Sequence, residues 1–313
     1  MDNAPASASG VADAAIPPGL PARPCPACGA HEAHAVFARQ GYRLVECASC
    51  GLAYIANPPT TDELAEIYSA ASDYHTDLMR PGSDEFIRMG HVADHHLRRL
   101  LALTGAHGKD ARLLDAGCSA GLFLDRARAR GFDVAGVEFS DDSAAFARAH
   151  FGLSVHTGTL HDLAAPAGSY DVVTMFDVLE HVPDPAADIA VAHSLLKPGG
   201  LFLLSTPNID GLFPRLSRPL ARVINYWPHP EPPYHLMQFS VRTLSAMLRK
   251  GGFRPGRVFH ERMPLAYSFG TLDTLRRHPK MAAYAAVFAP FAWAGPLLRM
   301  GDAFYIAACR DAE

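Results

Sequence analysis

Between residues 112 and 207 the chain alternates between short runs that are apolar throughout and longer runs that are apolar on one helical face only. "RLLDAG" predicts a buried strand, and "GLFLDRARARG" a helix closed by Gly131. "FDVAGVEFS" predicts a second strand, and "DDSAAFARAHFG" a helix capped by Ser140 and stopped at Gly152. "LSVHTG", "YDVVTMF" and "GLFLLSTP" read as further strands, the last two separated by a helix ending at "LLKPGG". Ser240 can cap "VRTLSAMLRKGG", where Leu244, Met247 and Leu248 share a face and Arg249 and Lys250 sit at the negative helix end. Continuous apolar strands alternating with helices imply an α/β fold around a mostly parallel sheet covered on both faces. Ligands of such sheets bind beyond the carboxyl ends of the strands.

Length and composition add limits. With 313 residues, 49% hydrophobic side chains and a mean hydropathy of +0.03, the chain can bury one large core and carry one small module. A formal charge of −4 offers no footprint for a phosphate backbone, so no nucleic-acid partner is expected. Residues 1–22, rich in Ala and Pro and charged only at Asp2 and Asp13, read as a disordered tail without a secretory signal. Four of the six cysteines form a regular pattern while Cys118 and Cys309 stand apart, a usage that suits a reducing cytoplasm.

"LLDAGCSAGLFL" is a strand, a glycine turn and a helix start. Gly117 and Gly121 would let the backbone approach a ligand at a helix N-terminus, or merely pack helix on strand. Glu138 ends the next strand, where a carboxylate can accept from both hydroxyls of a ribose. That fits a dinucleotide as well as other adenosine ligands. The dinucleotide fingerprint, however, needs a third glycine, and Asp115 before the turn would repel a pyrophosphate while suiting a cationic ligand.

Taken in order, "LLDAGCSAGLFL", "VAGVEFS", "YDVVTMFDVLEHVPDP" and "LLKPGGLFLLSTPN" resemble the successive motifs of class I S-adenosylmethionine-dependent methyltransferases, over roughly residues 109 to 262. The resemblance implies a Rossmann-like seven-stranded methyltransferase sheet with its last strand antiparallel, for which "DAFYIAACR" is the candidate. It also implies that Asp115, Gly117 and Gly121 line the methionine end of S-adenosylmethionine and that Glu138 holds the ribose. Thr159 and Leu160 fall where the family contacts adenine, with Asp162 in the same loop, and Asp177 falls beside the sulfonium or amino group.

Cys25, Cys28, Cys47 and Cys50 form C-x2-C, eighteen residues, C-x2-C, each pair followed by glycine. Four thiolates so spaced can close a tetrahedron around a structural zinc, with no open position for catalysis. The stretch "YRLVECASCGLAYIANPPTTDELAEIY" resembles the zinc-binding leader of some bacterial methyltransferases that modify sugars or natural products. In that pattern Tyr68, Tyr74 and His75 lie near the active-site mouth; otherwise they pack in an amphipathic linker.

Methyl transfer needs alignment of the acceptor and, for a hydroxyl or carbon acid, a base. His235 is the first candidate and His181 the second. "H-x-x-x-F-S", from His235 to Ser240, resembles a segment of ubiquinone-pathway O-methyltransferases. Both histidines could instead be structural. Asp177, Glu180 and His181, spaced i, i+3, i+4, could face one way on a helical turn and with His235 hold a divalent ion. Metal-dependent ubiquinone-pathway and small-RNA methyltransferases resemble this pattern, with Glu where Asp177 stands.

The insertion at 207–239 is expected to form a lid with Tyr226 and Trp227 as apolar walls over the acceptor. Residues 281–298 carry no charge; Ala richness and two prolines argue for helices packed on the fold or at a homodimer interface, with peripheral membrane contact toward a lipid-linked acceptor as the alternative. The expected organisation is a tail (1–22), a zinc ribbon (23–60), a helical linker and lid segment (61–108) and a methyltransferase domain (109–313) with substrate-side insertions at 207–239 and 263–301. The expected activity is O-methylation of a small-molecule or carrier-linked acceptor, a sugar or natural product. Alternatives are C-methylation of a sugar, an NAD-dependent oxidoreductase and a noncatalytic zinc-ribbon scaffold.

Overall fold

The computed structural model describes residues 23–60, 63, 77–105, 108, 110–224, 227 and 230–311. The expected tail, Tyr68, Tyr74, His75 and Tyr226 lie outside them. Strands β1 (Ala33–Arg39), β2 (Tyr42–Cys47) and β3 (Ala53–Ile55) form the ribbon. The larger sheet contains β4 (Arg112–Ala116), β5 (Asp133–Glu138), β6 (Ser154–Thr157), β7 (Tyr170–Phe176), β8 (Leu196–Pro207), β10 (Phe253–Glu261) and β11 (Ala303–Arg310). Its order is β10-β11-β8-β7-β4-β5-β6. β4 to β8 run parallel, and β11, the strand expected to be reversed, pairs antiparallel with both β8 and β10. Helices Asp84–Thr104, Leu122–Arg128 and Asp141–Phe151 cover one face, and Pro185–Leu195 and Val241–Lys250 the other.

Local signals act where they were expected. Ser140 accepts from Ser143 N and Gly152 is left-handed; Ser240 forms a reciprocal capping pair with Thr243. The helix before Gly131 already ends at Arg128. The helix Asp84–Thr104, expected in the linker, packs directly on Leu122–Arg128.

One element was not foreseen. β9 (Met237–Gln238), inside the expected lid, pairs antiparallel with β3 and becomes the fourth strand of the ribbon sheet. Leu52 and Tyr54 therefore share a core with Leu236, Met237 and Phe239, and Arg242 and Lys250 donate to the ribbon carbonyls of Cys50 and Ala27. Trp227, expected as an acceptor wall, is fully buried against Phe37, Ile55 and Ile209. The reason is area: the ribbon's apolar face needs a cover, and an indole supplies more than any other side chain.

Candidate active site

The turn after β4 owes its shape to its glycines. Gly117 and Gly121 are left-handed, and a Cβ on Gly117 would come within 2.3 Å of Val178. Only hydrogen fits there, so the turn lies directly against the loop that follows β7. Ser119 N donates to Glu138 Oε2 and Ser140 N to Oε1, both at 2.8 Å. Glu138 thus ties two strand ends together and keeps lone pairs for two further donors.

Asp115 is buried, and its Oδ1 accepts from the Thr174 hydroxyl at 2.6 Å. Burial pushes its carboxyl up to about 7; the Thr174 bond opposes this and the charge of Glu138 adds to it. In the loop after β6, Thr159 donates through its amide and hydroxyl to Asp162, which holds that carboxyl below its ordinary range. The Leu160 side chain is buried in the core.

The segment after β7 departs from expectation. Asp177 is left-handed at φ 53°; its amide donates to Ser205 O and its Oδ1 accepts from Ser205 Oγ at 3.0 Å. Residues 179–181 form a turn rather than a helix, with His181 N donating to Val178 O. The expected common face of Asp177, Glu180 and His181 is consequently not formed. Glu180, His181 and His235 do meet, with ligand atoms within 4.8 Å of one another, and Asp177 is outside that group.

Glu180 is fully buried and neither carboxylate oxygen makes a hydrogen bond of normal geometry. Burial raises this carboxyl well above its ordinary value, and the Asp177 charge adds to the effect. His181 Nδ1 lies 2.9 Å from Tyr234 O. A carbonyl can only accept, so the hydrogen-bond network assigns a proton to Nδ1. Burial lowers the His181 pKa to about 4 and keeps the ring neutral. The buried His235 ring stands 4.8 Å from that of His181, with Nε2 3.8 Å from Glu231. A buried carboxyl that makes no hydrogen bond of normal geometry, beside two imidazoles, is a donor set that fits a divalent cation once it gives up its proton.

The strand β9 holds this cluster in place. Leu236 N and Met237 N both donate to Glu180 O, and Ile55 N of the ribbon donates to Leu236 O. Arg23 bonds Ile55 O and Pro183 O. Sequence reasoning missed these links because they join backbone carbonyls to segments far away along the chain, where no local pattern reports them. It also missed Phe139, an exposed ring next to Glu138; the signal was an aromatic after the acid in "VEFS".

The four ribbon cysteines lie together. Cys25 Sγ and Cys50 Sγ are 3.5 Å apart, Cys28 Sγ and Cys47 Sγ 3.6 Å. A disulfide would need about 2.05 Å. Four thiolates at about 2.3 Å from a zinc would stand about 3.8 Å apart, close to what is found.

A family described as "Methyltransferase domain" matches residues 88–256. The ubiquinone biosynthesis O-methyltransferase of Psychrobacter arcticus is 36% identical over 134 residues, 40% of this chain and 50% of that protein. The protein of that name from Xanthomonas axonopodis pv. citri is 43% identical over 104 residues, 31% of this chain and 44% of its own. The chain thus spans about half the length of these curated relatives. Among solved structures, a chain from the complex of the Haloferax volcanii Trm112 methyltransferase activator with a methyltransferase superposes with a TM-score of 0.53. Identity there is 18%, with 76% of this chain and 97% of that one covered, so the likeness speaks for the fold alone. The family match spans more than half of the chain, and with it the nicotinamide alternative falls. This chain belongs to the S-adenosylmethionine-dependent methyltransferases and carries a zinc-ribbon cysteine cluster ahead of the catalytic fold.

Proposed function

We propose that the chain transfers a methyl group from S-adenosylmethionine to an oxygen of a small-molecule acceptor. The observation that carries this is the abutment of the two half-sites: the glycine turn and Glu138 on one side, Glu180, His181 and His235 on the other, in contact at Gly117 and Val178. The names of the curated relatives favour oxygen over carbon and point to ubiquinone biosynthesis rather than to a sugar.

In this reading Asp115, Gly117 and Gly121 receive the methionine end, Glu138 the ribose, and the loop of Thr159, Leu160 and Asp162 the adenine. Phe139 offers a flat apolar wall beside Glu138. Asp177, reached by solvent yet crowded by protein, stands where a cation of the cofactor would be matched. S-adenosylmethionine supplies a methyl group already activated by its sulfonium. The protein therefore has to align the acceptor oxygen and take up its proton. Glu180, His181 and His235 would hold a divalent ion, which lowers the pKa of a bound hydroxyl. Without an ion, the imidazoles of His235 and His181 would be the proton acceptors. Turnover that survives removal of magnesium and manganese assigns the proton to them.

The test is calorimetric titration with S-adenosylhomocysteine, with NAD in parallel. One-site binding of the former, weakened by about tenfold or more in Glu138→Ala, is expected, since two hydrogen bonds to a charged group are lost. Binding of NAD alone overturns the assignment.

Affinity should also depend on pH in a defined direction. The cofactor's ammonium favours ionised Asp115, but below about 7 that carboxyl is protonated in the free protein. Binding must then expel a proton. Affinity is expected to rise with pH toward 7, by up to ~tenfold per pH unit, and to level off above it. In Asp115→Asn the slope should vanish; an unchanged slope excludes Asp115 as its source.

A further inference from the structure

The segment between β10 and β11 leaves an apolar helix face without a cover. Glu261 and Ala303 pair with each other, and Ala303 pairs with Pro207 at the end of β8. The connecting residues 262–302 thus emerge at the end of the sheet where the parallel strand β8 finishes, the same end as the turns that follow β4 and β7. Helix Pro279–Ala294 buries Tyr284, Ala285, Phe288 and Ala292 against Phe213 and Phe269. Its other face shows Ala283, Val287, Pro290, Phe291 and Ala294, continued by Leu298, at helical spacing and with no charge among them. Seven of the eleven large apolar side chains that the described residues leave exposed fall between Tyr267 and Leu298. Leu297 is 87% and Trp293 60% exposed. Surface patches of this kind mark a docking face.

Charge says what docks there. Residues 262–300 contain Arg262, Arg276, Arg277, Lys280 and Arg299 against Asp273 alone, in a chain whose net charge is −4. Arg276, Arg277 and Lys280 are exposed just before the apolar stripe and Arg299 just after it, while the Arg262 guanidinium lies over the Trp293 ring. We infer that this face docks on the surface of an anionic bilayer, with the apolar stripe entering the headgroup boundary and the cations meeting lipid phosphates. No helix among the described residues is long and apolar enough to cross a membrane, so the contact is peripheral. The docking stands independently of catalysis. That the acceptor reaches the site from the bilayer rests on the methyl-transfer reading.

The test uses the full chain and unilamellar vesicles of phosphatidylcholine, with or without phosphatidylglycerol. The chain has two tryptophans, and Trp227 is fully buried, so a change in emission reports Trp293. Anionic vesicles are expected to shift the emission to the blue and to float the protein, with binding ~tenfold or more weaker on phosphatidylcholine alone. Leu297→Ser with Leu298→Ser should weaken binding to the same degree, as should Arg276→Gln, Arg277→Gln and Lys280→Gln together; all five positions are exposed, so the fold is retained. Protein that stays unbound at low salt overturns the inference. So does a concentration-dependent dimer that Leu297→Asp disperses, for the face would then belong to a second copy. Because turnover is not read, failure here and failure of the methyl-transfer assignment are distinguishable.

Discussion

Glu180→Gln is expected to reduce turnover by about two to four orders of magnitude while S-adenosylhomocysteine affinity changes by no more than about threefold. The amide keeps the volume of the side chain but not the anionic charge. Neither oxygen of Glu180 makes a hydrogen bond of normal geometry, and its backbone carbonyl, which receives Leu236 N and Met237 N, is untouched by the substitution. The cofactor turn should stay as it is, since no contact between Glu180 and residues 115–121 or Glu138 is needed to shape it. Burial already favours the neutral form of Glu180, so a neutral amide of the same volume is expected to leave the thermal midpoint unchanged or raised. Loss of activity with undiminished stability is the signature of a reactive group. Full turnover in Glu180→Gln would remove the cluster from the chemistry, and a lowered midpoint would make it structural.

Zinc loss is expected to have the next largest effect, and on turnover rather than on cofactor binding. Binding of structural zinc contributes about 10–16 kcal/mol in zinc-finger peptides, more than so short a ribbon can obtain from its own core. Cys47→Ser, or chelation of the metal, should therefore unfold the ribbon locally. β9 would lose its partner β3, and Leu236 its bond from Ile55 N, which loosens the strand carrying His235. Small displacements of a reactive group cost rate steeply, so kcat is expected to fall by at least ~tenfold. The residues proposed to bind the cofactor sit on the other sheet, and affinity for S-adenosylhomocysteine should persist. Parallel turnover and calorimetric measurements on chelated protein check this. Retained kcat would reduce the ribbon to an appendage, and loss of both activities would mean that it supports the whole fold.

Much of the geometry of the proposed cofactor half was legible in the sequence because its signals are local. Gly117 and Gly121 are read from a strand followed by a turn, Glu138 from its place at the next strand end, and the cysteine pairs from spacing alone. The acceptor half was legible only as a set of residue types. Asp177, Glu180 and His181 had the spacing of one helical face, but the left-handed backbone at Asp177 and its bonds to Ser205 take it out of the cluster. Trp227 was expected over an acceptor and instead covers the ribbon, because no local pattern tells an aromatic that lines a cleft from one that closes an interface.

By itself the sequence determined the alternation of strands and helices, the parallel sheet they require, the cysteine tetrad and the glycine turn with its acidic partner. These depend on contacts within a few residues or on hydrophobic periodicity. Only the tertiary structure decided that β9 joins the ribbon, that Glu180, His181 and His235 converge without Asp177, and that one face of Pro279–Ala294 stays uncovered. Those outcomes depend on long-range pairing and on which surfaces find partners, a competition settled by the whole chain at once.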